Sequence, residues 1–419
     1  MENKKTIILA ILGIAILAMI TGNVFFTYDQ IDKVNVSSNK NIKNESQIST
    51  PTPASTQTPT PTPKPADKVI TVSIVGDTMA HQSQLDHDYN EDPLVYDFMP
   101  SLEKIKDTIS KSDFAMANLE TTISGKKMGY SGYPDFNTPE SFIEALKETG
   151  FDLVTLGNNH AIDQGVLGAK NTLNNLKALG MDNTGLSLDE KGFYDYYIKD
   201  IDGIKVAVLA YMWKTTGVNS FENKKFIMHF WDDEQMVKTD IENVKKLGAD
   251  FVFVLPHWGT EYHRTRSFKQ LRWAEKYIGY GADAVIGSHP HVVQPMRMMK
   301  ALDEDGKTRE GLVVYSLGNF LANMRNRFNN TGVVLNVAIR KTADGVVTLD
   351  AITYVPTLIM SDKIYKTEAE NHVVLPAGKY AHNEALLNTL DDEHKEKVVN
   401  AYNDIVEMFG AKIATPLDE

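Results

Sequence analysis

Five times between residues 69 and 291, a short apolar run breaks off at side chains able to bind a cation. Val69–Val75 ends at Gly76-Asp77, and Phe114–Ala117 at Asn118-Leu119-Glu120. Leu153–Leu156 ends at Gly157-Asn158-Asn159-His160, Phe251–Leu255 at Pro256-His257, and Ala284–Ile286 at Gly287-Ser288-His289-Pro290-His291. Runs this short, bounded by Gly, Pro and Asn, read as buried strands. Between them apolar residues recur at helical spacing over Ser101–Lys111, Asp232–Leu247 and Ser267–Tyr280. Thr138-Pro139-Glu140 has the order of a helix start: cap, proline at the first position, early acid. Further strands are predicted at Ile204–Ala210, Leu312–Tyr315, Gly332–Ile339 and Val346–Tyr354, and the stretch Asn383–Phe409 is largely helical and polar. This alternation specifies the α/β class. In such folds the loops at the carboxyl ends of strands converge on one edge. Chemistry scattered from Asp77 to His291 is therefore predicted to meet at one place.

The ligand types at those strand ends narrow the chemistry. The chain has no cysteine, which excludes disulfides, thiolate metal sites, cysteine nucleophiles and a lipidated cysteine. Two carboxylates, one carboxamide and several imidazoles form a hard-to-borderline set that suits manganese, iron or zinc and does not suit calcium alone. His289 and His291 are separated by one residue, and in a loop such a pair can reach two ions a few ångströms apart. Asp77 or Glu120 can bridge them. Two ions about 3.5–4 Å apart activate water and clamp a phosphoryl group during in-line displacement. Singly, each residue also has a plain structural reading, as a turn aspartate or a hydrogen-bonded histidine; the set is what points to metal. A net charge of −12 argues against nucleic acid as a partner. It does not argue against a small anion, since a bound cation reverses the local field.

The N-terminal region has a different character. Lys4 and Lys5 precede an uncharged stretch, Thr6 to Phe26, of about 20 residues, enough to cross a hydrocarbon core. The two lysines orient the N-terminus inwards and the rest of the chain outwards. A cleaved signal peptide is the other reading, but Met19-Ile20-Thr21-Gly22 is a poor cleavage site. Residues 27–67 are rich in Asn, Ser and Thr and then in the alternating run Thr58-Pro59-Thr60-Pro61-Thr62-Pro63, a composition that forms no core and favours polyproline II. The organisation expected is a cytoplasmic tail (1–5), a single-pass anchor (6–26), a disordered tether (27–67), an extracytoplasmic body (68–360) and a C-terminal helical extension (361–419).

Six ordered segments of the body resemble a known family. Gly76-Asp77-Thr78-Met79, Asn118-Leu119-Glu120, Gly157 to Gly165, His257 to Tyr262, Gly287 to His291 and Ser316-Leu317-Gly318-Asn319-Phe320 are similar to the motifs of the bacterial capsule and poly-γ-glutamate synthesis proteins of the CapA type, a branch of the calcineurin-like metallophosphatases. The resemblance implies a two-sheet β-sandwich flanked by helices and a centre with one or two divalent metal ions. It implies Asp77 and His291 at one metal position, Asn159, His257 and His289 at the other, and Glu120 as the bridge. It also implies His160 as the general acid. Asp163 either orients His160 or caps the helix that follows. Arg264 and Arg266 are candidates for holding phosphate or carboxylate, and equally for a solvated surface. Asn319 is placed at the substrate edge by resemblance; its residues alone read as a turn.

Two departures from the metallophosphatase pattern stand out. Met79 occupies the histidine position of the usual aspartate-x-histidine, with His81 two residues further on, and Glu120 stands where an aspartate is usual. The implied function is synthesis or export of an extracellular anionic polymer, with other membrane components of a polymer synthase as partners and a phosphoester-hydrolysing site. The alternatives are a secreted phosphoesterase acting on nucleotides or phosphoglycans, and a metal-stabilised accessory subunit that hydrolyses nothing.

Overall fold

The computed structural model describes residues 66–91, 94–213, 228–361, 372–410 and 412–418. The predicted anchor and nearly all of the predicted tether lie outside these residues. Among the described residues no helix is long and apolar enough to cross a membrane.

The strands in chain order are β1 (Lys68–Thr78), β2 (Tyr89–Glu91), β3 (Leu94–Tyr96), β4 (Phe114–Leu119), β5 (Leu153–Thr155), β6 (Asp182–Thr184), β7 (Tyr197–Ile201), β8 (Ile204–Tyr211) and β9 (Phe251–Pro256). They continue with β10 (Ala284–Ile286), β11 (Val293–Leu302), β12 (Thr308–Leu317), β13 (Asn319–Leu321), β14 (Thr331–Lys341), β15 (Val347–Met360), β16 (Val373–Pro376) and β17 (Thr415–Pro416). One sheet runs β16-β15-β14-β1-β4-β5-β6, with β13 beside β1 and β17 beside β15; the other runs β11-β12-β10-β9-β8-β7. Each has a run of parallel strands: β1, β4, β5 and β6 in the first, and β8, β9, β10 and β12 in the second.

Side-chain alternation along these strands sorts the core into layers. Ile70, Val72 and Ile74 of β1, with Phe114 and Met116 of β4, meet Val206, Val208, Phe251, Phe253 and Val314 of the second sheet in one buried cluster. The opposite face of the first sheet, with Val75, Ala115 and Ala117, packs on Leu102, Ile105, Phe142 and Leu146 of the helices Met99–Ile109 and Ser141–Thr149. The outer face of the second sheet, with Leu209, Val252 and Val254, packs on Val237, Ile241, Trp273 and Tyr277 of Glu234–Lys246 and Phe268–Tyr280. The result is two stacked sheets between helical layers, a mixed α/β fold of the kind the sequence predicts.

The helix expected after Asp163 is Gly165–Leu179; it has no side-chain cap and carries three asparagines. The edge strand β11 is not marked in the sequence, because Pro295 interrupts its pattern; at a sheet edge proline is tolerated. The C-terminal segment packs on the body: β16 pairs with β15, and the helix Asp392–Phe409 sends Ile405 and Phe409 into the inter-sheet cluster.

Candidate metal centre

The parallel strands of both sheets end on a common rim, and the predicted ligands stand there. At the end of β1 the register slips between Val75 and Asp77. A Cβ on Gly76 would lie 2.0 Å from the Gly318 carbonyl oxygen, so only glycine permits the bulge that re-aims Asp77. Gly287 does the same for the second sheet: a Cβ there would lie 2.2 Å from the Tyr315 carbonyl oxygen. Beyond it, His289 and His291 have φ values of 92° and 54°. Left-handed non-glycine residues cost on the order of 1–3 kcal/mol each and persist only where neighbours fix them. Here Trp258 donates its amide to Ser288, Ser288 to Pro256, and Tyr262 to Pro290.

The donor atoms fall into two groups sharing one residue: Glu120 with His257 and His289, and Glu120 with Asp77 and His291. Asn159 joins the first, its Oδ1 2.7 Å from His257 Nε2, which is also 3.3 Å from Glu120 Oε1. In the second, His291 Nδ1 is 3.0 Å from Asp77 Oδ2, and His291 Nε2 is 3.8 Å from Glu120 Oε1. One donor atom from each residue of a group lies within 4.8 Å of the others, the scale on which ligands about 2.0–2.2 Å from one ion gather. Both Glu120 oxygens and His289 Nδ1 are buried with no hydrogen-bond partner. An orphaned buried carboxylate is costly unless a cation satisfies it. The residues therefore fit a divalent metal.

The electrostatics agree. Burial pushes Glu120 well above the usual carboxylate range, and the Asp77 charge adds to it. Burial would raise Asp77 too, but the hydrogen bond and charge of His291 outweigh it and hold this carboxyl well below its usual range. Burial would lower His291, but the Glu120 and Asp77 carboxylates raise it to about 10. Burial pushes His257 and His289 down to about 3. Without a cation, then, His291 carries the positive charge between two acids, while His257 and His289 are neutral.

His160 stands outside both groups. Its Nδ1 is 2.7 Å from Asp163 Oδ2, which also accepts the Phe136 amide at 2.9 Å. Burial would lower this imidazole, but the Asp163 hydrogen bond and the Glu120 charge reverse the effect and raise it. Asp163 makes no helix cap: the helix at Gly165 starts from Gln164 without one.

The remaining candidates lie elsewhere. Asn319 is fully buried behind His291, with its Oδ1 3.0 Å from His291 Nδ1. Arg264 stacks on Phe328 at 3.8 Å and donates to the Asp404 carbonyl, and Arg266 lies over the Tyr315 ring. Met79 is buried against Phe136, Ala322 and Ile359. His81 accepts the Asn323 amide at Nδ1 and belongs to neither donor group.

Three supporting residues were not singled out by sequence. Asn158 donates to Asn118 Oδ1, and Asn118 donates to Asp77 Oδ1 at 2.9 Å. The Ser288 hydroxyl is 2.9 Å from His257 Nδ1, which leaves Nε2 for the shared centre. The one signal for Asn158 and Ser288 is position: each directly precedes a candidate ligand.

Residues 71–324, more than half of the chain, match the family model described as bacterial capsule synthesis protein PGA_cap. The chain belongs to this family. Two relatives are capsule biosynthesis protein CapA of Bacillus anthracis, 28% identical over 260 residues, and PGA biosynthesis protein CapA of Bacillus subtilis (strain 168), 26% identical over 262. The matches cover 60% and 61% of this PGA_cap chain and 59% and 64% of those relatives, less than two thirds of their length. Among solved structures, the fold is similar to the calcineurin-like phosphoesterase YfkN from Bacillus subtilis, at TM-score 0.41 and 15% identity over 80% of this chain and 100% of that one. It is also similar to a 5'-nucleotidase precursor from Thermus thermophilus, at TM-score 0.44 and 14% identity over 81% of this chain and 59% of that one.

Proposed function

We propose that this PGA_cap protein is anchored in the cytoplasmic membrane through residues 6–26, with its body outside. There it serves the synthesis or export of an anionic capsular polymer, poly-γ-glutamate or similar, by hydrolysing a phosphoester. Family membership supports the pathway. The chemical part is carried by one observation, the His160–Asp163 pair beside the donor groups that share Glu120.

Asp77, Glu120 and His291 would hold one ion and Asn159, His257 and His289 the other, manganese, iron or zinc by donor type. Such ions supply Lewis-acid polarisation of a phosphoryl group. The chain's own residues supply the rest. Asp163 fixes the His160 ring through Nδ1, so Nε2 is the atom that gives a proton to the leaving oxygen. The Asn158–Asn118–Asp77 hydrogen bonds hold the acidic ligand in place. The accessory-subunit reading draws on Met79, an apolar residue that stands in the sequence where the metallophosphatase pattern has a histidine and packs against Phe136, Ala322 and Ile359.

His160→Ala and His289→Ala, expressed beside wild type in the same cells, separate the readings. The catalytic reading predicts that His160→Ala loses roughly 10²–10⁴-fold in phosphoester turnover. It should keep its metal and lower polymer yield. Equal polymer output and turnover from wild type and His160→Ala, at equal expression, would refute the enzyme and leave the scaffold.

A further inference from the structure

The stretch that the family model matches ends at residue 324, and contacts from beyond it reach His291 through Asn319. His291 Nδ1 lies 3.0 Å from Asn319 Oδ1. Asp77 Oδ2 lies equally close to that nitrogen; with the Asp77 carboxylate turned to a cation, an Nδ1 proton is donated to Asn319 and Nε2 keeps its lone pair. Asn319 is itself fixed by its amide, which donates to the Asn329 carbonyl at 2.8 Å and to the His291 carbonyl at 3.3 Å. Asn329 sits on a loop whose geometry is strained: the preceding Phe328 has a φ of 78°.

Something must hold that loop, and the contacts name it. Two guanidinium groups lie over the Phe328 ring, Arg264 at 3.8 Å and Arg327 at 5.2 Å from its centroid. Arg327 makes a two-pronged bond to Asp404, Nε to Oδ2 at 3.0 Å and Nη2 to Oδ1 at 2.9 Å. Arg264 donates to the Asp404 carbonyl at 3.4 Å. Asp404 lies on the helix Asp392–Phe409, next to Ile405, which is buried in the inter-sheet core. Its side chain is 12% exposed while that of Arg327 is 59% exposed. The pair is thus anchored on the acid's side, and its two-pronged geometry makes it more directional than a typical surface ion pair.

We propose that Asp404, with Arg327, Arg264 and Phe328, is a positioning element for the cation site formed by Asp77, Glu120 and His291, acting through Asn329 and Asn319. The C-terminal helix thereby completes the centre without touching it. This inference rests on the metal-centre reading above. It also specifies that the two ion positions differ in their dependence on the tail, because among the described residues the contacts from Asp404 to Asn319 reach His291 and do not themselves touch His257 or His289.

The test is manganese or zinc binding by the full chain, followed by competition with a chelating indicator, in wild type, Asp404→Asn, Asn319→Ala and the double variant. Replacing an orienting partner of a ligand histidine typically weakens binding by about 10–100-fold, the loss expected for Asn319→Ala. Asp404→Asn, acting through two further residues, should cost about 2- to 30-fold, at one of the two positions only. In the Asn319→Ala background the Asp404→Asn effect should vanish, since both act on one path. The charge-swapped pair Arg327→Asp with Asp404→Arg should restore part of the affinity, and thermal melting of the metal-free variants checks that each is folded. Equal binding by wild type and Asp404→Asn, or losses that simply add in the double variant, would overturn the inference while leaving the centre intact. A wild-type chain that binds no divalent metal would overturn the metal centre and this inference together.

Discussion

The first sheet delivers oxygen donors to the rim, Asp77, Glu120 and Asn159, and the second delivers imidazoles, His257, His289 and His291. Oxygen donors alone suit magnesium or calcium, and imidazoles alone leave no charge to balance a cation. Only the stacked pair makes a borderline set with net negative charge. The two halves also differ in protonation. The second sheet's His257 and His289 are neutral because burial drives their protons off. His291 is charged because it faces the first sheet's acids. The Asp77 position therefore has one more proton to release, that of His291, than the position built on His257 and His289.

The largest effect should come from breaking the imidazole half. His289→Ala is expected to lose at least one bound metal ion per chain by elemental analysis. Metal present at 100 times its dissociation constant stabilises a native state by about 2.7 kcal/mol, so the gap in melting temperature between metal-loaded and chelator-treated protein should shrink accordingly. Unchanged metal content would remove His289 from the ligand set.

Acidity sharpens the comparison. His291, near 10 without a cation, holds its proton throughout the neutral range. Raising the pH removes this competition, so affinity at the Asp77 position should rise by about tenfold per pH unit for the His291 proton displaced. His257 and His289, near 3, offer no such competition above about pH 4, and the raised Glu120 is common to both positions. Binding isotherms from pH 6 to 8 should therefore resolve one position that is more steeply pH-dependent than the other. Two parallel dependences would contradict the asymmetry.

A smaller effect is expected from Ser288→Ala, which removes the hydroxyl beside His257 Nδ1 and frees the ring to turn. About a tenfold loss of affinity at the His257 position is expected, measured by the same titration.

How much of this the residues disclosed follows from the range of the interactions involved. The ends of β1, β4, β5, β9 and β10 were legible, because buried parallel strands are apolar throughout and stop sharply at polar residues. Ser267 was legible as a helix start, and it caps its helix through Gln270. Thr138-Pro139-Glu140, read as a helix start, does precede a helix, but that helix begins at Ser141 with Glu140 at the cap position, while the Thr138 hydroxyl bonds Thr121. What stays hidden in sequence is contact between distant residues. Asn118 meets Asp77 across 41 positions, and Arg327 meets Asp404 across 77, with no local pattern to announce either. Asn319 shows the same limit. Its segment was legible, but its burial behind His291 depends on β13 pairing with β1, which no spacing reveals.

The account's central claim is that Glu120 joins both halves of one centre, and Glu120→Ala tests it most directly. The measurement is the number of divalent ions retained per folded chain after dialysis, in wild type and variant, with melting of the metal-free proteins confirming that the sandwich persists. The account predicts that Glu120→Ala retains none, whatever number the wild type holds, because both donor groups lose their shared carboxylate. A variant that keeps the wild-type number would contradict it.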